Sequence, residues 1–194
     1  MKTKIICLIG GCGVGKNYVL NEVCKNFNVH TMVSHTTRPK REGEIEGKDY
    51  HYIDKDKFID MFINNEFIET RKYDVVGDVW SYGVAVSEIA TGENNILIVD
   101  ANGYLKIKEY CCDNDIECIS IYLKASVKAR IERYMKRNTH NQTNDEFYYE
   151  MCRRILDDLK KVEVFENEAN YIFENEDMLD LTKNMIKLGE ILNG

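Results

Sequence analysis

No apolar run in this chain is long enough to cross a membrane, no C-x-x-C pair occurs, and positive charge is not in excess. The first absence argues against a membrane-spanning helix. The apolar stretch Ile5 to Ile9 is also too short for a signal peptide and leads straight into a glycine-rich loop, so a cytosolic location is expected. The seven cysteines (Cys7, Cys12, Cys24, Cys111, Cys112, Cys118, Cys152) are odd in number, which fits free thiols better than a disulfide framework or a zinc site. Four histidines (His30, His35, His51, His140) lack metal-ligand spacing as well. A formal net charge of −7 argues against bulk attraction to nucleic acid or anionic membranes. Proline and tryptophan occur once each, as Pro39 and Trp80, and no repeat or low-complexity tract appears.

What is present describes an ordinary globular chain. It has 194 residues, enough for one domain with a full core, with 44% hydrophobic and 30% charged residues. Short apolar strand candidates (4–9, 29–33, 95–100, 117–123, 171–174) alternate with helical patterns (16–26, 102–112, 126–137, 145–168, 177–192). Such alternation predicts an α/β fold with a parallel sheet flanked by helices. In the last helix Met178, Leu181, Met185, Leu188 and Leu192 share one face, which predicts core packing. Residues 34–91 break the rhythm with short runs and turn signals at Gly43, Gly47 and Gly77, and are read as a small inserted subdomain.

The segment "GGCGVGKNY", residues 10–18, carries the G-x-x-x-x-G-K spacing of a phosphate-binding loop, between a candidate strand and a candidate helix. Gly10, Gly11, Cys12, Gly13, Val14, Gly15, Lys16, Asn17 and Tyr18 are the expected ATP-binding residues. Glycines let backbone N–H groups wrap an anion, the helix N-terminus adds its positive end, and Lys16 would reach the β- and γ-phosphates. Asn17 stands where Ser or Thr is usual. Its amide oxygen can ligate or hydrogen-bond hydrated Mg²⁺, which keeps several waters in such sites.

Charge is distributed unevenly. Residues 124–137 hold six basic side chains against Glu132 alone, which suits a small anionic ligand or a solvated helix face. Residues 34–50 balance four basic against four acidic side chains, so they form no general polyanion surface. Within them Arg38 and Arg41 offer planar donor forks for phosphate oxygens, and Tyr50 with Tyr82 adds phenolic donors. Asp100 ends an apolar run, where a carboxylate faces a phosphate site at the carboxyl edge of a sheet or caps the next helix.

Taken in order, several segments resemble the guanylate kinase family over nearly the whole chain: "GGCGVGKNY", "SHTTRPKREGEIEGKDYHYI" at 34–53, "EFIE" at 66–69, "YG" at 82–83, "IVDANG" at 98–103, "RIERYMKR" at 130–137 and "RRIL" at 153–156. The resemblance implies a P-loop kinase with a five-stranded parallel core sheet (1–33, 92–124 and 161–194), an inserted α+β subdomain for the nucleoside monophosphate (34–91) and a helical lid (125–160). It implies transfer of the γ-phosphoryl of ATP to GMP or dGMP with Mg²⁺, in a monomer or homodimer that binds nucleotides but neither nucleic acid nor membrane. Ser34, Arg38, Arg41, Tyr50, Glu69, Tyr82, Val84 and Asp100 take the acceptor positions. Lys16, Arg38, Arg133, Arg137, Arg154 and Asp100 take the catalytic ones, and Asn17 is the metal neighbour. Ion pairing with Asp157, Asp158 or Glu132 is the competing use of Arg130, Arg133 and Arg137, and "NTHNQTND" at 138–145 is read as a flexible lid tip.

Two departures bear on selectivity. Val84 replaces the hydroxyl residue usual after "YG", a loss of about 0.5–1.5 kcal/mol for one hydrogen bond. The stretch from Glu69 to Tyr82 is longer and carries Trp80, which either staples the subdomain or lines the base pocket. They keep open a kinase of another (deoxy)nucleotide or a phosphorylated sugar; a silent binding module is the further alternative, for which Lys16 and three lid arginines are superfluous. Asn17→Ser is expected to leave turnover similar or raise it, chiefly altering its Mg²⁺ dependence, as a Mg²⁺ titration of the rate would record.

Overall fold

The computed structural model describes residues 2–75, 78–137, 145–161 and 163–193. In chain order the elements are β1 (Lys4–Ile9), α1 (Lys16–Asn26), β2 (His30–Thr31), β3 (His35–Thr36), β4 (His51–Tyr52), α2 (Lys55–Ile63), β5 (Phe67–Val75), β6 (Asp78–Ala85), β7 (Asn94–Ile98), α3 (Ala101–Asp113), β8 (Glu117–Lys124), α4 (Val127–Arg137), α5 (Asp145–Lys161), β9 (Tyr171–Glu174) and α6 (Met178–Asn193). A five-stranded parallel sheet has the order β2-β7-β1-β8-β9, and a second sheet the order β4-β3-β6-β5. All six side chains of β1 are buried, as a strand covered on both faces requires, and this is why its sequence after Lys4 is continuously apolar rather than alternating.

By contact density the chain divides into two compact units. The first comprises Met1–Ile5, Val29–Leu97 and Asn102–Cys118. Its longest pairing is the antiparallel β5/β6 hairpin, in which Arg71 lies opposite Tyr82 and Tyr73 opposite Trp80. The helical part of the insert, not located from the sequence, is α2. Its apolar residues Phe58, Ile59, Met61, Phe62 and Ile63 run almost together, which blurs the helical period, and only Phe58 and Met61 are buried. Asp54 starts this helix by accepting the Lys57 N–H at 2.7 Å, and Phe58 stacks on Phe67 of β5 with ring centroids 4.7 Å apart.

The second unit comprises Ile6–Asn28, Ile98–Ala101 and Ile119–Gly194. Its core joins Ile6, Leu8 and Ile9 to Val19, Val23, Ile121, Leu123, Phe173 and Leu188, all buried. In α6, Leu181, Leu188 and Leu192 face inward as their spacing predicts, but Met178 is exposed. It lies in the first turn, where its sulfur accepts the Tyr18 hydroxyl at 3.6 Å. The single helix expected over 145–168 is instead α5 followed by a 3-10 stretch at Glu163–Glu168.

All seven cysteines are free thiols. Among the described residues no helix is long and apolar enough to cross a membrane. Removing the α2 cap with Asp54→Ala should cost about 1 kcal/mol, read as a lower urea midpoint with an unchanged slope.

Candidate active site

In the second unit the turn after β1 is held by its carbonyls. Lys16 Nζ donates to Gly10 O at 2.7 Å and Gly11 O at 3.0 Å, and Arg130 Nε donates to Cys12 O at 2.8 Å. Val14 O accepts from Asn175 Nδ2 at 2.8 Å and from Arg133 Nη1 at 3.2 Å. A peptide is planar and trans, so pinning a carbonyl to one side turns the next residue's N–H to the other. Fixing Cys12 O and Val14 O therefore fixes the directions of the Gly13 and Gly15 N–H groups, the kind of backbone donor from which an anion-binding nest is built.

Gly15 precedes α1 with φ 99°, in the left-handed region, and a Cβ there would lie 2.8 Å from Asn175 Nδ2. The helix that follows has no side-chain cap and no acidic residue in its first turn. It differs in both respects from α2, which has the Asp54 cap and Asp56 in its first turn. The positive end of α1 is thus uncompensated by its own sequence, which favours an external anion. Asn17 and Tyr18 are exposed at this end.

The arginines of this unit divide. Arg133 donates from Nη2 to the carbonyls of Asn175 at 2.6 Å and Glu176 at 2.9 Å, besides its bond to Val14. Arg130 is buried and pairs with Asp158 at 2.6 Å, one of the ion pairs weighed from the sequence. Arg154 binds Glu150 at 2.7 Å and lies within electrostatic reach of Cys12 and Tyr134. Hydrogen bonds from Arg153 first, and from Arg154, hold the Glu150 carboxyl down at about 2 despite partial burial. The side chain of Arg137 and residues 138–144 of the expected lid tip lie outside the described residues. Asp100 follows β7 immediately before α3, and the neighbouring Val99 N–H donates to Leu8 O at 3.2 Å. This puts Asp100 at the carboxyl end of the sheet, where the loop departs. Beside the loop is a cavity of about 210 Å³ lined by Gly11, Val14, Leu123, Lys124, Arg130 and Glu166 among others.

In the first unit the expected acceptor residues cluster around a buried cation. Arg38 is 4% exposed. Its Nη2 donates to Glu44 at 2.7 Å and its Nη1 to Pro39 O at 2.9 Å. Its guanidinium lies 5.3 Å from the Tyr50 ring centroid, and Tyr50 meets Tyr82 edge-on at 5.7 Å. Burial opposes the Arg38 charge, but the Glu44 bond and attraction outweigh it and raise its pKa. Burial likewise works against the Glu44 carboxylate. Bonds from Arg38, the Arg41 N–H and the Tyr52 hydroxyl overcome it and bring Glu44 to about 2. The Arg41 side chain is exposed, and Ser34 O accepts the His51 N–H at 3.0 Å.

Glu69 is buried in β5, with Arg71 Nη2 3.0 Å from its Oε1. Val84, opposite Glu69 in the hairpin register, is fully buried as well. Sequence reading named Asp158 only as one of three ion-pair candidates and did not single out Asn175, Glu44 or Arg71. Only Glu44 carried a local signal, a carboxylate six residues after Arg38.

A family model described as "Guanylate kinase" matches residues 2–192. The chain belongs to the guanylate kinase family. A guanylate kinase of Thermotoga maritima is 30% identical over 97% of this chain and 86% of its own length. That of Clostridium tetani is 36% identical over 73% of this chain and 66% of its own. The crystal structure of guanylate kinase from Anaplasma phagocytophilum, 23% identical, superposes with a TM-score of 0.63 over 99% of this chain and 86% of that one, which supports the fold. Membership of this phosphotransferase family supports ATP-dependent phosphorylation of GMP.

The depressed Glu44 gives this guanylate kinase relative a defined acid response. A carboxyl lowered from 4.5 to about 2 stabilises the fold above its ordinary value, and that contribution is lost as pH falls through the interval. Glu44→Gln should therefore cost about 1–3 kcal/mol at neutral pH. The gap from the parent should narrow as pH falls from 4.5 towards about 2, in urea titrations across that range.

Proposed function

We propose that this guanylate kinase family member transfers the γ-phosphoryl group of ATP to GMP or dGMP by in-line displacement, giving ADP and GDP or dGDP. The observation that carries the reading is the loop at residues 10–16, its carbonyls held by side chains and its N–H groups leading into an uncapped helix. Family membership supplies the acceptor. In this reading the loop N–H groups and Lys16 bind the donor's phosphates, and Lys16 follows the charge that develops on the leaving oxygen. Arg133, Arg137 and Arg154 stabilise the transferring group, in a lid region spanning 125–160. Residues 34–91 form the acceptor subdomain, and 1–33, 92–124 and 161–194 the core.

Within the acceptor subdomain Arg38, Arg41, Tyr50 and Tyr82 hold the monophosphate, while Ser34 and Glu69 orient the base beside Val84. A carboxylate at Glu69 accepts both the ring N–H and the exocyclic amine of guanine, which adenine cannot reciprocate. Arg71 compensates the charge of that buried carboxylate. Asp100 orients the acceptor from the end of the sheet. Rate then derives from positioning and electrostatics, without a covalent intermediate.

Mg²⁺ prefers oxygen ligands. Among the described residues no group of three or more His, Cys, Asp or Glu side chains forms a self-contained metal cage. An ion held mainly by nucleotide phosphates and water, with the exposed Asn17 amide as one oxygen donor, fits that donor set. When bound it would neutralise phosphate charge. Seven free thiols suit a cytosolic location, and the net charge of −7 suits nucleotide rather than nucleic-acid partners, in a monomer or homodimer.

A coupled ADP-release assay with ATP, Mg²⁺ and GMP, dGMP, AMP, UMP, CMP or ribose phosphates tests the reading. GMP or dGMP should be preferred over AMP by at least about a hundredfold in kcat/KM. Equal turnover of AMP and GMP would remove the base-reading role from Glu69, and no turnover with any acceptor would overturn the enzyme itself.

A further inference from the structure

Arg130 of α4 and Asp158 of α5 meet at one residue of the phosphate loop, on the two peptides that flank Cys12. Arg130 Nε donates to Cys12 O at 2.8 Å, while Asp158 Oδ2 accepts the Cys12 N–H at 2.5 Å. The two side chains join each other at 2.6 Å, so both backbone polar groups of Cys12 are taken by one ion pair. Arg130 is 5% exposed and Asp158 19%, so the contacts are largely screened from water. Gly11 has no positive φ, yet a Cβ there would lie 2.7 Å from Arg130 Cζ and 2.9 Å from Asp158 Oδ2. The absence of a side chain at residue 11 is therefore set by this pair and not by the backbone.

We propose that Arg130 and Asp158 are positioning residues for nucleotide binding, a brace that fixes the peptides on both sides of Cys12, Asp158 through the Cys12 N–H and Arg130 through the Cys12 carbonyl, and so presents the Gly13 N–H to the donor's phosphates. Four of the six residues from 10 to 15 are glycine, which leaves the unbraced loop many conformations. A brace formed before the ligand arrives removes that ordering cost from binding. The pair acts through the loop backbone; neither residue transfers a proton or touches the reacting phosphorus. The inference rests on the loop being the ATP site. Its rival is that the Asp158 carboxylate is a resident anion competing with phosphate, and the two predict opposite signs.

The decisive variant is the double substitution Arg130→Leu with Asp158→Ala, because removing both partners leaves no unpaired buried charge. Isothermal calorimetry with ADP and steady-state kinetics should show ADP Kd and ATP KM raised about tenfold, with GMP KM and kcat changed less than about twofold. Asp158→Asn, which keeps an acceptor for the Cys12 N–H, should recover most of the affinity. Gly11→Ala should weaken ADP binding about tenfold in the parent and add less than about twofold to the double variant, since its obstacle is then gone. Unchanged or tighter ADP binding in the double variant overturns the brace, as does an equal effect of Gly11→Ala in both backgrounds. Lys16→Ala is the control. If it weakens ADP binding while the double variant does not, the brace alone fails; if neither weakens it, the loop is not the ATP site.

Discussion

A guanidinium removed from water must have its donors met, and this chain meets the demand twice by the same device. Arg38 in the first unit and Arg130 in the second each donate to a carboxylate and to a backbone carbonyl. Burying such a cation alone would cost several kcal/mol. The positions of Glu44 and Asp158 are therefore consequences of placing arginine there. Around Arg38 the requirement draws Tyr52 and the Arg41 N–H into the same network through Glu44. Around Arg130 it ties two helices to the glycine-rich turn. Each proposed ligand region is thus ordered by a charge pair of its own.

The features legible in the sequence were those written in a short window. β1, α1 and β9 have the expected bounds, because an unbroken apolar run or a glycine loop opening a helix is a local pattern. The same holds for Lys16 and Arg38, whose partners sit within six residues in the chain. α2 escaped because its apolar residues are nearly contiguous. Met178 has the spacing of a core residue, but its place in the first turn of α6 leaves it in solvent.

Partners far apart in the chain could not be found by spacing. Asp158 lies 28 residues from Arg130 and 146 from Cys12, and Asn175 lies 161 from Val14. Nothing in "RRILDD" distinguishes Asp158 from Asp157 until the helix is placed against the loop. Arg71 reads as one residue of an alternating strand, and only the fold reveals a buried carboxylate on the same strand two positions earlier. The fold class was thus open to sequence reading, as were the candidate residues of the proposed site. The closures that hold the site in shape were not.

Lys16 is already engaged by the Gly10 and Gly11 carbonyls. A phosphate arriving at this ammonium group does not meet an idle cation; it exchanges one set of oxygen acceptors for another. The stabilisation on capture is the difference between an ionised oxygen and the partners Lys16 already has, the two amide oxygens among them, and so less than the bare attraction of opposite charges. In the proposed reading, a ligand of high charge density such as a polyphosphate makes that exchange more favourable than a singly charged anion does.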